Sequence, residues 1–280
     1  GVDKATKVAM DLDKNMIVLQ KCSHNNVDFE VLAYDKLRGA QSVNMAQSMF
    51  FAEQTGLKVK QVKITLNNSS IKTEAGALYY SKGKIESKTK SGGATGLFKK
   101  AVSGALTNES AIKPTYTGSG EIYLEPSFKH YLVLELDNDS IIVDKGLFFC
   151  CSAEIDIKVM AQKNVSSALL GGEGVFQIQL IGTGVVILEL DVPESEIVSY
   201  ELTNGEELKV DGNFAIARTS GVSFSVTKSD KSLLGSAING EGFLNAFKGE
   251  GTVWLAPTAP MYKRLYTGIS FGNSSINNQE

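Results

Sequence analysis

The sequence predicts an all-β chain of three tandem β-sandwich-like modules with a pseudo-threefold arrangement and few short helices, and three observations carry that expectation. Strand-like runs fill most of the chain, acid-and-glycine turns separate them, and one set of turn and stop residues recurs three times. At 280 residues, 42% hydrophobic and 21% charged, with 27 glycines and only five prolines, the composition is that of a globular chain able to bury a sizeable core.

Each copy opens alike. Ile71-Lys-Thr-Glu-Ala-Gly-Ala-Leu-Tyr-Tyr80, Ile141-Ile-Val-Asp-Lys-Gly-Leu-Phe-Phe-Cys150 and Leu208-Lys-Val-Asp-Gly-Asn-Phe-Ala-Ile-Ala217 each read as a short apolar strand, an acidic residue, a glycine turn and a second strand. Each copy also closes alike, with Gly118-Ser-Gly120, Gly182-Thr-Gly184 and Gly249-Glu-Gly251 leading through a strand to Pro126, Pro193 and Pro257. The first glycines of these pairs are 64 and 67 positions apart, too long for a solenoid repeat of roughly 20 to 50 residues, so each copy is a small β module. Gly-x-Gly before a strand supplies positive φ or close backbone approach, and proline at the far end removes a ladder donor.

Taken in order, residues 1–9 are polar and patternless and are expected to be a tag remnant. Residues 10–128 hold an N-terminal extension and the first module, with a strand at Val27-Asp-Phe-Glu-Val-Leu32. Residues 129–195 form the second module and 196–270 the third. In these, Glu154-Ile-Asp-Ile-Lys-Val-Met160 and Val222-Ser-Phe-Ser-Val-Thr227 alternate with period two, as half-buried strands do. Residues 271–280 read as a frayed tail. The helical signal is confined to short stretches at Gly96–Gly104, Val165–Leu170 and Ser232–Ala237.

The repeated glycine closures, the Glu173-Gly174 and Glu241-Gly242 elements and the Thr73-Glu-Ala-Gly-Ala-Leu78 turn together resemble the family of the fungal altered-inheritance-of-mitochondria protein twenty-four, over roughly residues 27 to 257. That resemblance implies a fold like the tryptophan RNA-binding attenuation protein, a TRAP-like or double-stranded β-helix type of architecture, with three modules about a pseudo-threefold axis. Fungal members are associated with the mitochondrial inner membrane, and bacterial members have no established activity. The family brings no catalytic residues to transfer. In the first repeat Asn108-Glu109-Ser110 stands where the others carry Gly-Glu-Gly.

Charge and motifs narrow the function classes. Twenty-eight Lys and Arg against 31 Asp and Glu give a net charge of −3, which disfavours nucleic acid. No apolar stretch is long and charge-free enough to span a bilayer. Three cysteines, Cys22, Cys150 and Cys151, cannot all pair within one chain, and a reducing cytoplasm is the expected compartment. No motif for a cofactor, phosphate or catalytic metal occurs, so neither cofactor nor enzyme activity is expected. His24, in an expected loop, and His130, beside an apolar strand run, are the two imidazoles a nucleophilic site would have to recruit, and packing or edge roles are the commoner explanation. Neighbouring Cys150 and Cys151 would face opposite sides of a strand, as core residues.

One positional pattern hints at a ligand. Glu109, Glu173 and Glu241 precede the repeat glycines at nearly constant spacing, and three converging carboxylates would hold a hard cation such as Ca²⁺ or Mg²⁺. The competing reading has each Glu accepting turn amides. Glu74, Asp144 and Asp211 are expected to be hairpin-turn acids. Lys99 and Lys100 beside Phe98 could touch a membrane surface or partner. The expected function is a non-catalytic binding or scaffold protein acting through sheet surfaces or edges, by protein partners or self-association, the alternative being a small-ligand or cation sensor at module clefts.

Overall fold

The structure, a computed structural model, describes residues 15–88, 113–161, 176–228 and 243–267. Among these residues, fifteen strands and two short α-helices make it mostly β. The chain divides into two units, the first holding residues up to 90 and 113–129, the second beginning at His130.

In the first unit, β1 (Met16–His24) and β2 (Val27–Tyr34) form a hairpin closed by Asn25 and Asn26 at φ 46 and 63. A two-residue turn with both central φ positive matches the twist of its strands, and asparagine tolerates that region best after glycine. Along β2, Val27, Phe29 and Val31 are buried while Asp28 and Glu30 are half-exposed, the alternation of a sheet with one covered face. Next, β3 (Lys60–Thr73) pairs with β2 and with β5 (Thr115–Leu124), and β4 (Leu78–Lys88) pairs with β5, giving the order β1-β2-β3-β5-β4. Strands β1 and β2, ahead of the first repeat's markers, thus join the same sheet as β3, β5 and β4.

Between β2 and β3 lies α1 (Val43–Gln54). Ser42 caps it by accepting from the Met45 amide at 3.2 Å, and Gly56 at φ 72 follows its end. A second helix, α2 (Ala259–Thr267), follows the last strand. Neither helix was read from the sequence: α1 has almost no apolar periodicity, and α2, though amphipathic, is only nine residues long and buries no side chain. The three stretches read as helical lie outside the described residues, as do the proposed tag remnant and tail.

In the second unit, β6 (His130–Asp144) pairs with β9 (Phe176–Leu190), whose other edge takes β7 (Phe148–Ser152) and β8 (Asp156–Ala161). β6 also pairs with β12 (Ala215–Thr219), then come β15 (Gly251–Leu255) and β10 (Val198–Leu202). A separate three-stranded sheet has β14 (Phe243–Gly249) between β11 (Glu207–Val210) and β13 (Val222–Lys228). Two cores result. One centres on Ile141, Val143, Leu180, Val186 and Leu188; the other on Leu202, Phe224, Phe247, Val253 and Leu255.

Each copy therefore uses its closing strand as the centre and flanks it antiparallel on both sides: β3-β5-β4, then β6-β9 with β7 and β8, then β10 and β11 against β15 and β14 with β12 and β13. A bulge recurs where the second strand begins. Tyr79, Phe149 and Ile216 are the extra residues, opposite Tyr123-Leu124, Ile187-Leu188 and Trp254-Leu255.

Candidate functional site

The repeat glycines sit where the central strands bend. Gly118, Gly120, Gly182, Gly184, Gly249 and Gly251 have φ of 144, 148, 131, 151, 130 and 147. Space matters as much as torsion. A Cβ on Gly118 or Gly120 would overlap the Lys84 or Lys82 carbonyl oxygen of the adjacent strand.

Opposite each closure stands a left-handed asparagine that the sequence reading passed over: Asn68, Asn138 and Asn204, at φ 47, 50 and 55. In the first two copies it belongs to a bulge in which two residues oppose one, and the middle residue of Gly-x-Gly accepts its amide. Asn68 donates to Ser119 Oγ at 2.8 Å, and Asn138 to Thr183 Oγ1 at 2.9 Å. Near-constant spacing of an asparagine within a polar break of a strand was the signal available.

Two of the turn acids have defined partners. Asp144 accepts from the Gly146 amide at 2.9 Å and starts a short 3-10 turn, while Glu74 forms an ion pair with Lys113, whose side chain is 4% exposed. Asp211 lies between β11 and β12, before Gly212 at φ 135. His24 closes β1 instead of lying in a loop, since the β1–β2 turn takes only Asn25 and Asn26. His130 opens β6. Cys150 and Cys151 are fully buried and unbridged, and burial pushes the Cys150 thiol well up, with Cys151 adding to the shift. Glu109, Glu173, Glu241, Lys99 and Lys100 lie outside the described residues. Among the described residues no group of three His, Cys, Asp or Glu could hold a metal ion.

Three further features stand out. Arg218 is 4% exposed. It donates through Nε to the Val222 carbonyl at 3.0 Å and through Nη1 to Gln177 Oε1 at 2.7 Å, and burial draws its pKa down to about 10. Glu196 accepts from Thr258 Oγ1 at 2.7 Å and from the Tyr262 hydroxyl at 2.8 Å, fastening α2 to the turn before β10. Finally, α1 buries nothing while Val43, Phe50 and Phe51 are 75%, 59% and 66% exposed. A large aromatic left in water is the unusual case, and it marks surfaces that other surfaces cover.

A family model described as Mitochondrial biogenesis AIM24 matches residues 52–258, which is most of the chain. The chain belongs to this family. The match spans all three glycine closures, from within α1 to just past β15. No curated protein matches the chain. Among solved structures, the crystal structure of a Streptococcus pyogenes protein is similar at a TM-score of 0.53 and 20% identity, covering 74% of this chain and 94% of that one. At that identity the likeness concerns the fold alone, so this AIM24-family chain takes no activity from it. No helix among its described residues is long and apolar enough to cross a membrane.

Proposed function

We propose that this AIM24-family chain is a non-catalytic binding or scaffold protein that acts on other protein surfaces, including further copies of itself, through its sheet edges and exposed apolar side chains. The observation that carries the reading is α1, a capped twelve-residue helix with no buried residue, presenting Phe50 and Phe51 to solvent. Buried aromatic anchors dominate the energetics of protein interfaces, so a paired exposure of this kind favours docking over display. Strand β1 supports it: it pairs only with β2 among the described residues, and Val18 and Leu19 on it are 56% and 43% exposed. A free edge with apolar residues invites strand addition.

The pseudo-threefold arrangement, the TRAP-like comparison, a cytoplasmic site of action and peripheral membrane contact through Lys99 and Lys100 belong to the same proposal. The recurring strand order and corner support the first two, and three cysteines that form no disulfide suit a reducing compartment. Sedimentation of the untagged full chain across a concentration series tests the central reading. Self-association that Phe50→Asp/Phe51→Asp weakens at least tenfold, with an unchanged melting temperature, is the expected result. A wild-type chain that stays monomeric, binds no purified host partner stoichiometrically and ignores that double substitution would overturn it.

A further inference from the structure

We propose that Arg218 anchors a binding site for a small oxyanion, a carboxylate or phosphate group, where the polar face of β9 meets the third-copy core. The position is a cross-strand row in which Arg218 pairs with Ile142 of β6 and Val253 of β15, and Ile142 pairs with Gln179 of β9. Ile142 and Val253 are buried at 4% and 0%, so the guanidinium stands at the border of an apolar core. Its hydrogen bonds to the Val222 carbonyl and Gln177 use Nε and Nη1, leaving Nη2 without an acceptor among the described residues. The Phe224 ring lies 5.7 Å from the guanidinium carbon and supplies a face, not an acceptor.

No described countercharge meets it. Among the described residues no carboxylate lies within ion-pair distance of Arg218. Asp144, two positions beyond Ile142 on β6, gives its carboxylate to the Gly146 amide instead. The other charged side chain in the row is Lys158, paired with Gln179, and it is also a cation. A buried charge with unfilled donors and no partner is strongly unfavourable, and neutral carbonyl acceptors offset only part of that cost. An anion presenting two oxygens relieves both deficits, because a guanidinium grips carboxylate and phosphate through paired N–H groups.

Nor does the strand architecture require the arginine. Counting two positions past the recurring bulge gives Ser81 in the first copy and Cys151 in the second, and both copies build the same bulge with an uncharged residue there. The cation is peculiar to the third copy, as a ligand-binding device would be.

Titration calorimetry and thermal melts of the full chain with inorganic phosphate and, separately, with succinate test this, each against sodium chloride at equal ionic strength. Saturable one-to-one binding of at least one probe is expected, and the probe that saturates names the class. Arg218→Met and Arg218→Gln should abolish it while keeping the circular dichroism spectrum. Arg218→Lys, which retains the charge but not the fork, should weaken it at least tenfold and serves if the other two fail to fold. Chloride acting as well as both probes, or a folded variant binding as tightly as wild type, overturns the site. Neither result touches association through α1, which sedimentation reads independently.

Discussion

The first two copies and the third treat the same corner differently. In the first, β3 and β5 run continuously past it, and the bulge leaves the Asn68 amide facing Ser119; in the second, β6 and β9 do the same with Asn138 and Thr183. In the third, Glu250 occupies the middle of Gly-x-Gly, a four-residue turn from Thr203 to Glu206 replaces the bulge, and the long strands break into β10 and β11 on one side and β15 and β14 on the other. Their inner halves stay in the large sheet and their outer halves form a separate one. A backbone amide displaced from the ladder needs an acceptor, and a short hydroxyl at the facing position provides it without leaving the sheet. A longer, charged side chain at that position does not, and there the sheet divides.

The glycines themselves should give the largest effects, and graded ones. Gly120→Ala forces a Cβ into the Lys82 carbonyl oxygen at φ 148, against the Lys82-Gly83 backbone that cannot yield as a side chain would, and should cost about 3 kcal/mol or more or prevent folding. Gly182→Ala meets the Glu154 carbonyl oxygen at 3.1 Å and should cost about 1–2 kcal/mol. Urea unfolding of both variants ranks them, and equal losses would show that torsion, not approach, makes these positions glycine.

Next come the hydroxyls beneath the corner. Ser152 is 1% exposed and accepts the Val185 amide at 2.8 Å; Thr219, at the same place in the third copy, accepts the Thr252 amide at 2.9 Å; Lys82 stands there in the first. Ser152→Ala leaves a buried amide unsatisfied, for about 1–3 kcal/mol. Thr219→Ala, less deeply placed, should cost about 1 kcal/mol, and exposed Lys82→Ala should fall within about 0.5 kcal/mol of wild type. A Lys82→Ala loss matching that of Ser152→Ala would mean that the corner is supported in some way common to all three copies.

How much of this could be read from the chain follows the same division. The glycines, prolines and alternating strands were legible because each imposes a local backbone or burial requirement, visible in residue type and period. Asn68, Asn138 and Asn204 were missed because an asparagine in a polar break reads as an ordinary loop residue until its φ is known. Arg218 sits in Ala215-Ile-Ala-Arg-Thr, where nothing local distinguishes a core arginine from a solvated one; pairing with β6 and β15 decides it. Helix α1 escaped for the opposite reason, since its apolar residues face water and form no stripe against a core.

Smaller effects belong to the amides above the corner. Thr183→Ala and Ser119→Ala each remove an exposed acceptor that water can replace, and should cost about 0.5–1 kcal/mol. The sharper reading is local, in hydrogen exchange at Asn138 and Asn68, which should accelerate in the matching variant alone. Unchanged exchange would remove the hydroxyl from the account of why the first two copies stay continuous.

The smallest effect is confined to one helix and concerns how the third copy ends. Among the described residues it alone is followed by an α-helix, α2, whose hydrogen-bonded tie to the body runs through the Glu196 carboxylate. Hydrogen bonds from Thr258 and Tyr262 hold the Glu196 pKa below the ordinary carboxylate value, against a slight desolvation and with His130 adding a little in the same direction. A carboxyl whose folded pKa is depressed contributes stability that is complete above its unfolded value, about 4.3, and is lost as pH falls through the lower folded value. Protonation removes charge-assisted acceptance at both hydroxyls, so α2 amides should lose exchange protection between neutral pH and the region below about pH 4 while β12 and β15 keep theirs. Glu196→Gln should show the weakened helix at neutral pH and flatten its acid dependence, and Tyr262→Phe should remove part of it. Equal protection of α2 at both pH values in the wild-type chain would assign its attachment to the packing of Ala259 against the core, and would free the corner comparison from any influence of the helix that follows.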